Sequence, residues 1–322
     1  MGGGETVDPI DQFRVPQESV ESVVVERAGH ERRLRSSTMI RDDSMMLADG
    51  RTLAYTTIGA PDGPVVCYQH GAPGGRLELV ALHDAFDTAG VCVVTADRPG
   101  YGGSGPLPGR ATADWVADIM ALCDHLGVER LAVMGLSSGG PYTVACASLL
   151  GDRVVGALVA AGNTDMSWPG AATGYLESEL AIMALDDTEA ALVFCAEHIG
   201  VDGSEFLDGD NDLGPADNAW LADEANTAAL LATMGEAFRQ GVVGYAHDIW
   251  VQGRAWSFDP VAIRCPVIVA HGEDDRLVPI SHSRHTASLI PGAELRITPG
   301  VGHLSLTDQL PALAAEITRP LA

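Results

Sequence analysis

The chain has 322 residues, enough to bury a sizeable core, and its 19 basic residues against 44 acidic ones give a formal net charge of −25. That balance repels nucleic acid and anionic membrane surfaces, so neither is expected as a partner. The sequence contains no Lys, which rules out Schiff-base and general-base lysine chemistry.

The six cysteines, Cys67, Cys92, Cys123, Cys146, Cys195 and Cys265, lack C-x-x-C spacing and mostly sit in apolar runs. They read as buried reduced thiols. No stretch approaches the roughly 18 apolar residues of a membrane span, and no basic segment followed by an apolar run opens the sequence. The expected location is the cytoplasm.

Residues 1–43 are polar and charge-dense, and are read as an N-terminal extension. From Ser44 the texture changes to short apolar runs. SMMLADG and RTLAYTTIG, with Asp49-Gly50 between them, predict two antiparallel strands joined by a hairpin turn. Strand-like and helix-like segments then alternate: VVCYQHG, a helix near LELVALHDAFDTAG, VCVVTADRPG, a helix near ADWVADIMALCDHLG, RLAVMGLS, a helix near GGPYTVACASLLG, and VVGALVAAG. Such alternation predicts an α/β fold with a mostly parallel sheet and helices on both faces. It stops near Asn163 and resumes near Arg264 with CPVIVAHG, LRITPG and a final amphipathic helix. The intervening segment reads as a mainly helical cap inserted after the sixth strand, over the carboxyl ends of the strands. The predicted division is a core of residues 44–163 and 259–322, with a cap of residues 164–258. Within the cap, GSEFLDGDNDLGPADN is acidic and turn-rich and is expected to be a mobile rim loop.

Four local patterns carry chemistry. RLAVMGLSSGGPY places Gly135-Leu136-Ser137-Ser138-Gly139, the chain's one G-x-S-x-G, between a strand and a helix. Ser137 is the candidate nucleophile, and the Ser138 amide stands where an oxyanion donor belongs. HGAPGG ends an earlier strand, so the Ala72 amide is the candidate second donor, with His70 as a strut of that loop or a weak substrate contact. VIVAHGEDDRLVP ends a later strand in acids; Asp275 is placed to orient a histidine, with Asp274 its nearest rival and Asp165 another. ITPGVGHLSL puts His303 in a turn between the last strand and the last helix, free to act as general base. No spacing of histidines or cysteines reads as a metal site, and no cofactor is expected.

Together with Asp97-Arg98-Pro99-Gly100-Tyr101-Gly102-Gly103-Ser104, which looks like a D-R-P-G-Y-G-x-S turn, these motifs resemble the α/β-hydrolase superfamily over residues 44–322. The resemblance implies an eight-stranded sheet, a cap, a Ser137-Asp275-His303 triad and a cofactor-free acyl-enzyme mechanism. It also excludes: relatives that open epoxides or remove halides carry Asp at the elbow, and plant-type hydroxynitrile lyases need a lysine. Prolyl aminopeptidases usually carry G-G-S-W-G where this chain has G-L-S-S-G. A small or medium apolar ester or lactone is the expected substrate. Carbon–carbon bond hydrolases and cofactor-free haloperoxidases or perhydrolases share the triad and stay open as alternatives, as does a ligand-binding receptor on the same scaffold. Among the cap aromatics, Trp168 and Trp250 are the expected pocket lining. A small acyl substrate is the expected partner, and a homodimer is compatible with the sequence.

Overall fold

A computed structural model describes residues 40–208 and 213–321; the predicted N-terminal extension lies outside them as far as residue 39. The described residues form nine strands: β1 (Arg41–Met46), β2 (Thr52–Gly59), β3 (Val65–Gln69), β4 (Cys92–Ala96), β5 (Leu131–Leu136), β6 (Val154–Ala160), β7 (Arg239–Val242), β8 (Val267–Gly272) and β9 (Glu294–Thr298). All but β7 join one sheet in the order β1-β2-β4-β3-β5-β6-β8-β9. β2 runs antiparallel to both its neighbours, and every other pair is parallel. This is the α/β-hydrolase fold that the motifs imply, with an eight-stranded, mostly parallel sheet.

A parallel strand covered on both faces must be apolar on both, and β5 is buried at every residue. Its alternate side chains feed two separate cores. Leu131 and Val133 face a cluster built with α2 (Trp115–Leu126), α3 (Gly140–Leu149) and α9 (Ile280–Leu289). Ala132 and Met134 face another, built with α1 (His83–Thr88) and α10 (Leu310–Ile317).

Between β6 and β8 the chain runs through α4 (Glu177–Met183), α5 (Thr188–Ile199), α6 (Gly214–Leu221), α7 (Glu224–Ala237), β7 and α8 (Val243–Gln252). Ile182, Leu192, Phe238, Tyr245 and Ile249 form a third apolar cluster there, which takes in Tyr101 from the core. The inserted segment is thus packed onto the turn after β4.

Two expectations are corrected. The sheet begins at Arg41 rather than Ser44, because Arg41, Asp42 and Asp43 pair with Thr57, Thr56 and Tyr55. The acidic stretch expected as a rim loop contains α6 from Gly214 onwards; Pro215 suits the first helical turn, where no amide hydrogen is needed. Residues 209–212 of that stretch lie outside the described residues. Among the described residues no helix is long and apolar enough to cross a membrane.

Candidate active site

Ser137 follows β5 directly and has φ of 55°, a left-handed conformation that non-glycine residues rarely adopt. Such strain persists only where the surroundings enforce it. Here glycines make the turn sterically feasible. A Cβ at Gly139 would lie 2.0 Å from the Gln69 carbonyl oxygen, and one at Gly135 would lie 2.4 Å from Thr143 Oγ1 and 2.6 Å from the Gly139 carbonyl oxygen. Close backbone approach therefore fixes the glycines on both sides of Ser137. The turn leads through Ser138 and Gly139 into α3, so the helix N-terminus lies beneath the serine, where its dipole favours developing negative charge.

His303 and Asp275 arrive from the carboxyl ends of β9 and β8. Asp275 Oδ2 lies 2.7 Å from His303 Nδ1, with the Asp275 side chain fully buried. Its other oxygen, Oδ1, accepts the Leu277 and Val278 N–H groups at 2.8 and 2.9 Å. Burial works against the Asp275 charge, but His303 and these donors hold its pKa below the ordinary carboxylate value. Burial likewise opposes charge on His303, and Asp275 outweighs it, so the imidazole pKa is raised. The rival acids go elsewhere. Asp274 is exposed, and Asp165 caps its own turn, accepting the Ser167 N–H at 2.9 Å and the Trp256 N–H at 3.5 Å.

The loop 70–73 is held from behind. His70 is fully buried; its Nε2 accepts the Arg98 N–H at 3.0 Å, which leaves Nδ1 to donate to the Gly71 carbonyl at 2.7 Å. Burial pushes its pKa well down, so the ring is neutral. His70 is thus a strut with both nitrogens occupied, which corrects its assignment as a substrate contact. Arg98, also fully buried, donates to the carbonyls of His70 and Gly71 and to Asp248 on α8, at 2.7 Å from Nη2 to Oδ2. Asp248 collects Arg110, at 2.9 Å, and the hydroxyls of Tyr101 and Tyr142 as well. Burial disfavours its charge, yet the two guanidinium groups keep its pKa below the usual value.

Glu78 approaches the same loop from the other side. Its Oε2 accepts the Gly71 N–H at 2.9 Å and the Tyr68 hydroxyl at 3.0 Å. A Cβ at Gly71 would lie 3.1 Å from Glu78 Oε1 and 3.7 Å from Ser137 Cβ, so this carboxyl and the serine flank one backbone position. Burial raises the Glu78 pKa. Across the site Asn163 Nδ2 reaches the Ser138 hydroxyl at 3.3 Å, the Tyr175 hydroxyl at 2.8 Å and Gln252 Oε1 at 3.0 Å. Tyr175 donates onward to Glu179, whose pKa burial lifts to about 7.

The two expected lining residues each have a partner in the structure. Trp168 stacks on His285 with ring centroids 4.2 Å apart, and Trp250 donates Nε1 to the Leu185 carbonyl at 2.9 Å beneath Arg254. A large apolar ring seeks a flat partner wherever the fold offers one, and these find theirs in His285 on α9 and in the Arg254 guanidinium just after α8. Sequence reading missed Glu78, Asp217, Asp248 and Glu179. Only Arg98 carried a signal, within the D-R-P-G-Y-G-x-S pattern.

A family model described as the alpha/beta hydrolase fold matches residues 64–309. The chain belongs to the α/β-hydrolase family. This hydrolase is 26% identical over 268 residues to an uncharacterized hydrolase, YcgS, of Bacillus subtilis, covering 80% of this chain and 89% of that one. It is 27% identical over 295 residues to a proline iminopeptidase of Xanthomonas citri, covering 83% and 91% of the two chains. Among solved structures, a thermophilic esterase from Thermogutta terrifontis superposes with a TM-score of 0.64 at 21% identity, covering 88% of this hydrolase and 98% of the esterase. The last likeness is one of fold.

Proposed function

We propose that this hydrolase cleaves a small or medium ester or lactone through an acyl-enzyme on Ser137, with His303 as general base, Asp275 as its orienting carboxylate, and the amides of Ala72 and Ser138 as oxyanion donors. The observation that carries the reading is the 2.7 Å contact between Asp275 Oδ2 and His303 Nδ1, at the same end of the sheet as a strained serine. With Nδ1 bonded to Asp275, Nε2 is the nitrogen left to take the serine proton in this reading. His303 takes the hydroxyl proton as the oxygen attacks the carbonyl, then returns it to the departing alcohol. A water molecule, deprotonated by His303 in the same way, releases the acid and restores the serine.

Ester chemistry is favoured over the peptidase activity named for the Xanthomonas citri relative and others, because G-L-S-S-G at the elbow departs from the G-G-S-W-G usual in that group. Hydrolysis of p-nitrophenyl esters from acetate to decanoate, alongside proline β-naphthylamide, tests the choice. The expected result is turnover of short or medium esters, abolished in Ser137→Ala. Turnover of the arylamide with none of the esters would replace the proposal with a peptidase.

A further inference from the structure

Asp217 stands on α6 in the inserted segment, yet its carboxylate is fully buried against the loop that carries His303. Oδ2 accepts the His303 backbone N–H at 2.7 Å, while Oδ1 accepts the Ser305 N–H at 2.9 Å and the Ser305 hydroxyl at 3.0 Å. The Ser305 hydroxyl oxygen in turn accepts the Gly302 N–H at 2.8 Å. One carboxylate therefore ties the turn on both sides of the His303 Cα.

The turn is shaped to receive this group. A Cβ at Gly302 would lie between 2.4 and 2.6 Å from the Asp217 carboxylate atoms, so any larger residue would expel them. Trp220, three residues along and on the same helix face, donates Nε1 to Asp308 at 3.1 Å and adds a second tie to the same region. A buried carboxylate is costly unless its oxygens are satisfied, and bonds from N–H donors to a charged acceptor are the strong ones.

We propose that Asp217 is a positioning residue for His303, fixing the imidazole opposite Ser137 and placing a second negative charge where the imidazolium forms. The proposal rests on His303 being the general base, and it puts part of the machinery in the inserted segment. The charged and titratable groups around His303 are Asp275 after β8, Asp217 on α6, Glu78 before α1, Glu179 on α4 and His271 on β8. Asp217→Asn removes one of these carboxylates and leaves the other four groups in place. It also sets an amide hydrogen against a backbone donor, because a carboxamide offers only one acceptor oxygen.

The test is an NMR titration of the His303 imidazole in wild type and Asp217→Asn, with kcat and KM for an ester measured in parallel. The expected result is a His303 pKa lower by about half a unit or more in the variant. A kcat reduced by about 10- to 100-fold should accompany it, with KM little changed. An unaltered titration and kcat in a folded but less stable variant would reduce Asp217 to a structural contact and overturn the proposal. The titration needs no turnover, so a wild type that cleaves no ester would refute the proposed function while the placement of Asp217 was still decided. Should Asp217→Asn fail to fold, Ser305→Ala is expected to lower kcat several-fold without moving the His303 pKa; an unchanged kcat there would count against the proposal.

Discussion

Asp248 and Arg98 are both fully buried and meet at 2.7 Å, one from the inserted segment and one from the turn after β4. Through its remaining donors Arg98 holds the carbonyls of His70 and Gly71, so a carboxylate on α8 braces the loop that would bind the oxyanion. Removing one partner of a buried pair leaves the other charged and unpaired, which is far costlier than losing the pair's net attraction. Asp248→Ala is therefore expected to destabilise the fold by about 3–5 kcal/mol in denaturant titration. Ester turnover should fall in the same variant even at temperatures where it is fully folded; full activity would detach the brace from the chemistry.

The pH dependence follows from the histidine. A general base must be neutral, and the His303 pKa is raised because Asp275 outweighs burial. The rate kcat/KM should rise with pH along a limb whose midpoint lies above about 6.5, the ordinary histidine value. Asp275→Asn should lower kcat by about three to four orders of magnitude, since the imidazole loses both its tautomer and its counter-charge. A midpoint below the ordinary value, or a mild effect of Asp275→Asn, would remove His303 from the role of base.

Gly139 shows how little room the elbow has. Its Cβ position lies 2.0 Å from the Gln69 carbonyl oxygen, a backbone atom at the end of β3 that cannot swing aside. Gly139→Ala should cost about 1–3 kcal/mol as the α3 start is pushed off the sheet, with activity lost more steeply than stability. Thermal melts paired with ester assays would separate the two effects.

Glu78 supplies the acceptor for the Gly71 N–H and the Tyr68 hydroxyl. Glu78→Ala should leave both donors unsatisfied, at about 1–3 kcal/mol, and loosen the loop beside Ser137. The expected signature is a lower kcat with a smaller change in KM; a change in KM alone would make Glu78 a substrate contact instead.

Which parts of this were legible in the sequence follows from locality. Ser137 and His303 sit in glycine-marked turns at strand ends, so the elbow pattern makes the first a candidate and the order Ser, Asp, His the second. Asp275 and Asp274 are neighbours on one turn, and only the path of the chain decides which faces His303. Asp217 and Asp248 were invisible for a different reason. In a chain with 44 acidic residues an acid on an inserted helix looks like a solvated side chain, and only tertiary packing reveals that these two are buried. The partners of Trp168 and Trp250 were equally illegible, since aromatic content says nothing about which flat surface each ring will meet.

Intact-mass analysis after treatment with a fluorophosphonate, followed by peptide mapping, tests the central claim most directly. A single adduct on Ser137 is expected, formed rapidly in wild type, slowly in His303→Ala and not at all in Ser137→Ala. A folded wild type that stays unmodified, or an adduct mapped to any other residue, would contradict it.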